Sequence, residues 1–124
     1  MTLHKPSKLG RTIAQWAKRT ERAQARRARE RTADAEWRIL SLRVEARDRG
    51  LCRVCGCKTT KAGVGHPSLW RQVHHIVYRS AGGTDDLSNL IDVCGLCHEA
   101  EHQHRISITG TADDLHVEHI EVLR

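Results

Sequence analysis

Apolar positions are sparse at the start of the chain and then fall into a helical rhythm. From Thr12 to Arg31 the sequence is rich in Ala, Arg, Gln and Glu, all good helix formers, with no Gly or Pro. Its apolar positions are Ile13, Trp16, Ala17 and then only alanines. The pattern predicts a helix that takes most of its stability from packing. A second helix is predicted over residues 33–49, where Trp37, Leu40, Val44 and Arg47 recur every three or four positions. Gly50 is a natural stop, just past Arg47 and Arg49 in the last turn. Beyond it the period shortens. Residues 58–69 are polar and contain Gly, as a loop would; Val73 to Tyr78 has strand-like composition; Gly82-Gly83 marks a turn and Asp85 to Asn89 a loop. Cys94 to His104 fits a tight turn running into a helix. Arg105 to Thr109 and Leu115 to Val122 alternate around Gly110 and a polar 111–114 stretch, the pattern of a β-hairpin.

Composition narrows what can hold these elements together. Among 124 residues Phe is absent, aromatics are 3% and charged residues 29%. The core is therefore expected to rest on Leu, Ile, Val, Ala and the three Trp. Domains this small bury a modest share of their surface and often need a metal or a disulfide. No run of about 18 apolar residues offers a membrane span. The basic N-terminus lacks the hydrophobic stretch of a secretory signal. The chain is thus expected to be cytoplasmic, where thiols stay reduced and more often hold metal than pair.

Charge divides the chain. Residues 1–31 carry ten Lys or Arg and two acids, Glu21 and Glu30, so the excess positive charge of a chain with net +6 sits in this first quarter. Such an arm, helical or flexible, is drawn to phosphates by release of their counterions, or serves solubility alone. The expected organisation is an arm over residues 1–31 and a domain over residues 32–124.

Two pairs of cysteines, Cys52-x-x-Cys55 and Cys94-x-x-Cys97, have the spacing that wraps two thiolates each around one tetrahedral zinc. Four thiolates close the coordination sphere, so the zinc is expected to be structural. Binding free energy at such a site is folding free energy, on the order of 10 kcal/mol or more. Cys57 is left over as a spare thiol. The 38 residues between the pairs are long for a simple zinc ribbon, and they carry histidines.

His98 and His102 are four apart, so on a helix both imidazoles face one side and can share a metal. His74 and His75 are neighbours in a strand-like segment, so they point to opposite faces, one able to ligate and the other to act as a base. A tandem His pair, Asn89 fourteen residues after the second His, His98 nine further on and His102 four beyond that resemble the HNH endonuclease family (His-Me finger, ββα-metal) over roughly residues 37–104. The remaining histidines, His4, His66, His104, His116 and His119, read as ordinary surface or packing residues.

The resemblance implies an α+β fold: a ββα-metal core with the Cys₄ zinc, N-terminal helices and a C-terminal β-hairpin. It implies a metal-dependent DNA endonuclease in which His75 is the general base and Asn89 fixes the loop and orients that base. His74, His98 and His102 hold a divalent metal, with Mg²⁺, Mn²⁺, Ni²⁺ and Zn²⁺ all open. Cleavage would leave a 5′-phosphate and a 3′-hydroxyl. Arg71 and Arg79 flank the His pair as candidates for gripping phosphate. Family members often carry Pro where this chain has Tyr78, a change expected to alter loop stiffness only. Free-standing domains of this size resemble those of phages and prophages, which points to DNA with packaging or other partner proteins. Two other readings stay open: a non-catalytic zinc-stabilised nucleic-acid-binding module, and an RNase or toxin-type nuclease.

Overall fold

A computed structural model of the chain describes residues 12–120. In chain order its elements are helix α1 (Ile13–Asp48), strand β1 (Gln72–His75), strand β2 (Leu90–Val93), helix α2 (Gly95–His102), and strands β3 (Ile106–Gly110) and β4 (Leu115–His119). The architecture is α+β. β1 and β2 pair antiparallel and run into α2, a ββα unit, and β3 and β4 form the C-terminal hairpin. The chain falls into two compact units, residues 1–38 and 39–124. Residues 1–11 of the basic arm and the last residues of the expected second hairpin strand lie outside the described range.

The sequence pattern predicts two N-terminal helices, and the structure has one. Thr12 and Gln15 open α1 as a reciprocal cap: the Gln15 N–H donates to Thr12 Oγ1 at 3.2 Å and the Thr12 N–H to Gln15 Oε1 at 3.1 Å. Thr32, just before the expected start of the second helix, donates its hydroxyl to the Ala28 carbonyl at 3.0 Å, a bond made inside a continuing helix. No Gly or Pro interrupts the run, and it ends after Asp48, where Arg49 and Gly50 both turn left-handed with φ of 58° and 66°.

The core also departs from expectation, because none of the three Trp is buried. Trp16 is 65% exposed, and Trp37 and Trp70 are half-buried. The Trp70 indole N–H donates to the Gly65 carbonyl at 3.3 Å, which holds the ring at a loop. The buried side chains are instead Val44, Ile76, Leu90, Ile91, Val93, Ile106, Ile108 and Ala112, joined by Cys52, Cys94 and Cys97. Small aliphatic groups leave room that the cysteines fill, so the core and the candidate zinc site are one structure.

β2 is buried at all four positions, and its partner β1 shows one face to the core. The register pairs His74 with Ile91 and His75 with Leu90, and the Ile76 N–H to Asn89 carbonyl bond of 2.9 Å extends the ladder. Beneath it, Asp48 in the last turn of α1 is a buried hub. Its carboxylate accepts from Arg47 Nε at 2.9 Å, Arg53 Nη1 at 2.8 Å and the Asp92 backbone N–H at 2.9 Å. Burial pushes its pKa up, but these bonds outweigh that and hold it below the ordinary carboxylate value. Arg47 also donates to the Leu90 carbonyl, so the end of α1 is tied to β2. The hairpin turn is fastened separately, by Ala112 N–H to the Ser88 carbonyl at 2.7 Å and Arg53 Nη2 to the Ala112 carbonyl at 2.6 Å. Among the described residues no helix is long and apolar enough to cross a membrane.

Candidate functional site

The two cysteine pairs meet where the sequence spacing brings them. Cys52 and Cys55 flank a tight turn closed by the Gly56 N–H to Cys52 carbonyl bond of 2.9 Å. Cys94 caps α2, its sulfur accepting from the Cys97 N–H at 3.4 Å, and Cys97 lies in the first turn. All four sulfurs lie within 4.8 Å of one another, positioned to hold one metal ion. Gly95 lets the Pro67–Leu69 turn press on this corner, since a Cβ there would meet the Pro67 carbonyl oxygen at 2.4 Å. Burial raises the Cys55 thiol, yet hydrogen bonds from the Cys57 backbone and from neighbouring thiols bring it down to about 7. Burial and the crowding of neighbouring sulfurs push Cys97 well above the usual thiol range. Crowded sulfurs with protonation split this way are chemically poised to share a cation. Cys57, half-buried against the same cluster, is pushed up to about 12 by burial and by Cys55, and it stays outside the four-sulfur group.

β1 separates the tandem histidines by strand alternation. His74 points inward and is 4% exposed, whereas His75 turns to the other face. α2 supplies His98 and His102 from its exposed end, their Nε2 atoms 3.1 Å apart. The His74 ring stands edge-on to His98, with centroids 6.3 Å apart at 76°. Its Nε2 is buried and has no hydrogen-bond partner. Burial, reinforced by neighbouring imidazoles, lowers the pKa of both His74 and His98, with Glu101 pulling the other way. Neutral imidazole is the form that binds metal. His74 thus offers a buried nitrogen without a partner near the two imidazoles of α2, but among the described residues only the four cysteines bring three or more ligand atoms within 4.8 Å of one another.

His75 is held on its own side. Its Nε2 lies 2.8 Å from Asp85 Oδ1, and Arg79 brackets the same carboxylate, Nε at 3.2 Å from Oδ1 and Nη2 at 3.2 Å from Oδ2. Arg79 Nε also reaches His75 Nε2, at 3.3 Å, so this nitrogen donates to the Asp85 carboxylate in one tautomer and accepts from the guanidinium in the other. The His75 bond, against a small opposing effect of burial, keeps the Asp85 pKa below the usual carboxylate value, with Arg79 adding to it.

Asn89 staples the loop that carries these groups. Its Oδ1 accepts from the Val77 N–H at 2.8 Å, and its Nδ2 donates to the carbonyls of Val77 at 3.0 Å and Thr84 at 2.8 Å. Gly83 makes the fold-back possible: a Cβ there would sit 1.8 Å from the Val77 carbonyl oxygen. The turn given no role in the sequence therefore fixes where Asp85 lies. Both candidate phosphate-gripping arginines face carboxylates in this structure, Arg79 with Asp85 and Arg71 with Glu45, 4.0 Å from buried Asp92.

Sequence reasoning missed two acids. Asp85 is ten residues from His75, on an exposed loop with no periodic signal. Glu101 is buried, accepts a hydrogen bond from the Tyr78 hydroxyl through Oε1, and leaves Oε2 without a partner. Burial and this bond push the Tyr78 pKa up to about 12. Tyr78 thus does more than alter loop stiffness: it ties the loop after β1 to α2. The available signal was helical spacing, since Glu101 lies three after His98, a neighbour on the helix surface.

Residues 52–104 match the family model for HNH endonuclease. This stretch contains both clusters, β1, β2 and α2, and ends before the β3–β4 hairpin. No curated protein and no solved structure matches the chain.

Proposed function

We propose that this HNH domain makes the chain a metal-dependent DNA endonuclease, with His75 as general base and His74, His98 and His102 holding a divalent cation. Structural zinc on Cys52, Cys55, Cys94 and Cys97 completes the reading. The observation that carries it is the division of labour across β1: a carboxylate-held imidazole on one face, and on the other an unpartnered buried imidazole beside two more. A phosphodiester needs an activated water, neutralised charge and a stabilised leaving oxygen. His75 takes a proton from water, and the resulting imidazolium is stabilised by the Asp85 carboxylate beside it, the logic of an oriented acid–base pair. Asn89 keeps the loop closed so that His75 and Asp85 hold register. The bound cation would supply charge neutralisation at the scissile phosphate and at the 3′ leaving oxygen.

Arg79 is well placed to exchange Asp85 for phosphate when substrate arrives, and Arg71 is assigned the weaker role of raising local positive potential. The basic arm over residues 1–31 adds sequence-independent attraction to DNA and stands apart from the nuclease domain of residues 32–124 in this reading. A cytoplasmic setting and a partner that directs the enzyme to its target, as in phage packaging, belong to the same proposal.

The test is cleavage of supercoiled plasmid by the full chain with EDTA, Mg²⁺, Mn²⁺ or Ni²⁺, beside His75→Ala and with RNA in parallel. Metal-dependent nicking that falls about 10²–10⁴-fold in His75→Ala, with unchanged circular dichroism, is the expected result. Near wild-type cutting by His75→Ala would sink the mechanism. Preferential cutting of RNA moves the substrate to the ribonuclease reading. No cutting by folded, zinc-loaded protein under any metal favours the binding module.

A further inference from the structure

We propose that one face of α1, carrying Lys18, Arg19, Arg22, Arg26 and Arg29, is a docking surface for the phosphate backbone of duplex DNA. This rests on reading the chain as a protein that acts on DNA, and it gives the charge of the basic arm a side. The surface lies wholly within the first compact unit, residues 1–38. Lys18 to Arg29 belong to one uninterrupted helix, in which each residue turns the chain by about 100°. On that geometry the five side chains fall inside an arc of about 100°. Arg27, the sixth cation of the stretch, lies outside the arc, and so does its one acid, Glu21. All seven side chains are exposed, and Gln15, Lys18, Arg19 and Arg22 line one concave patch.

The arrangement works against the helix that carries it. Lys18–Arg22, Arg19–Arg22, Arg22–Arg26 and Arg26–Arg29 are like-charged neighbours three or four residues apart, each destabilising. Of the five cations, Arg26 alone has an ion-pair partner among the described residues, Glu30 at 3.7 Å, and both side chains are exposed. Such a surface pair is weak. Solubility would be served as well by cations interleaved with acids around the helix. Gathered on one side, they match an anion whose charges are spread along a line. Between Lys18 and Arg31 the apolar side chains are alanines alone, so the helix has no bulky stripe to sink into a bilayer or to seat a partner helix.

The dimensions favour DNA over RNA. At a rise of about 1.5 Å per residue the stripe is about 17 Å long, half of one B-DNA turn of about 34 Å. The B-form major groove admits a helix, whereas its A-form counterpart in RNA is too narrow for side chains to read. Contacts of this kind grip phosphates and carry no base sequence. Position around the helix, and not total charge, then sets affinity. Arg22 and Arg29 lie within the stripe, and Arg27 and Arg31 lie on the opposite side. Removing either pair subtracts the same two charges from the same helix, and Gln is as good a helix former as Arg.

The experiment follows binding of the zinc-loaded full chain to a fluorescein-labelled duplex of about two helical turns. Anisotropy is read across a salt series with no divalent cation added, so that cutting plays no part. Arg22→Gln/Arg29→Gln is compared with Arg27→Gln/Arg31→Gln and wild type, with helix content checked by circular dichroism. R22Q/R29Q should lose at least about tenfold in affinity at about 0.1 M salt, and about 2 from the slope of log K against log salt. R27Q/R31Q should stay within about threefold of wild type. Equal losses in the two variants, or no loss in either, overturn the proposal and leave the arm as undirected charge. An RNA duplex or acidic phospholipid vesicles that bind as tightly as DNA, with the same loss in R22Q/R29Q, overturn the assignment to DNA. Should R22Q/R29Q lose helix, Arg22→Gln/Gln24→Arg keeps composition and net charge but moves one cation to the far side; unchanged binding in that variant overturns the proposal. Plasmid cutting by the same preparations with metal added judges the nuclease reading separately. A chain that cuts without preferring this face loses the present inference alone, and one that binds by this face but never cuts loses the nuclease reading alone.

Discussion

One short helix carries both clusters, and its two ends are built to opposite standards. At the start of α2, Cys94 and Cys97 join Cys52 and Cys55 in a group whose sulfurs all lie within 4.8 Å, most of it buried in the core. At the other end, His98 and His102 hold their nitrogens 3.1 Å apart at the surface, with His74 across from them. The first arrangement is closed and shared with the hydrophobic core; the second is open on one side and surrounded by polar groups with incomplete hydrogen bonding. A metal that serves folding needs every position filled by protein, whereas a metal that serves chemistry needs room for a substrate oxygen. Placing both on eight residues lets the rigid end set the position of the reactive one.

If that comparison holds, damage at the cysteine end should reach everything and damage at the histidine side should stay local. The largest effect is expected from Cys94→Ser, which removes a core residue, a helix cap and a metal ligand together. Folding that depends on about 10 kcal/mol of metal binding should fail, seen as loss of the circular dichroism signal and of bound zinc. Retention of a cooperative melt would show that the core stands without its metal.

Next comes Asp48→Ala, which leaves Arg47 and Arg53 without their buried partner and should lower stability by about 3–5 kcal/mol. The histidine cluster should keep its Mn²⁺ affinity in whatever fraction remains folded. The same carboxylate gives a pH signature. Its folded pKa lies below the ordinary aspartate value of 3.8, so its stabilisation is present above that value and fades as pH falls through the lower folded pKa. Wild type should therefore lose this increment only below about pH 4, and Asp48→Ala should lack that part of the acid transition; identical acid limbs in urea melts would refute the assignment.

The smallest effect is expected from Asp85→Asn. It keeps the loop and the metal ligands but weakens the hold on His75, so kcat should drop about tenfold with Tm and metal affinity unchanged. A parallel rise in KM without loss of kcat would instead assign Asp85 to substrate binding.

Much of this was legible from spacing. The two Cys-x-x-Cys pairs and the His74, His75, Asn89, His98 and His102 pattern report local geometry directly, since a helix fixes what lies four residues on and a strand fixes what lies next door. The ββα unit was what the family resemblance implied, since β2, buried at all four positions, shows no alternation to read. Asp48, Asp85 and Glu101 were not legible, because an acidic side chain in a charged sequence looks like solvated surface until tertiary contacts bury or pair it. Gly83 was readable as a turn but not as a steric necessity, which depends on the loop meeting its own start. The single long helix was hidden by Thr32, whose hydroxyl serves a cap or a back-bond equally well. The exposed Trp residues were misjudged because size alone does not put an amphipathic ring inside.

His74 and His75 are the same side chain written twice, yet the repetition gives no redundancy. Their difference is parity along a four-residue strand, and parity is lost by a slip of one position. Sliding β1 one way brings His74 to the outward address and Val73 to the inward one, which in the proposed mechanism is a base without its metal ligand. Sliding it the other way brings His75 inward and Ile76 outward, in the same mechanism a ligand without its base. Either error yields half a site from an unchanged composition. The buried Ile76 and the Asn89 carbonyl that receives its N–H therefore act as the pawl of a ratchet.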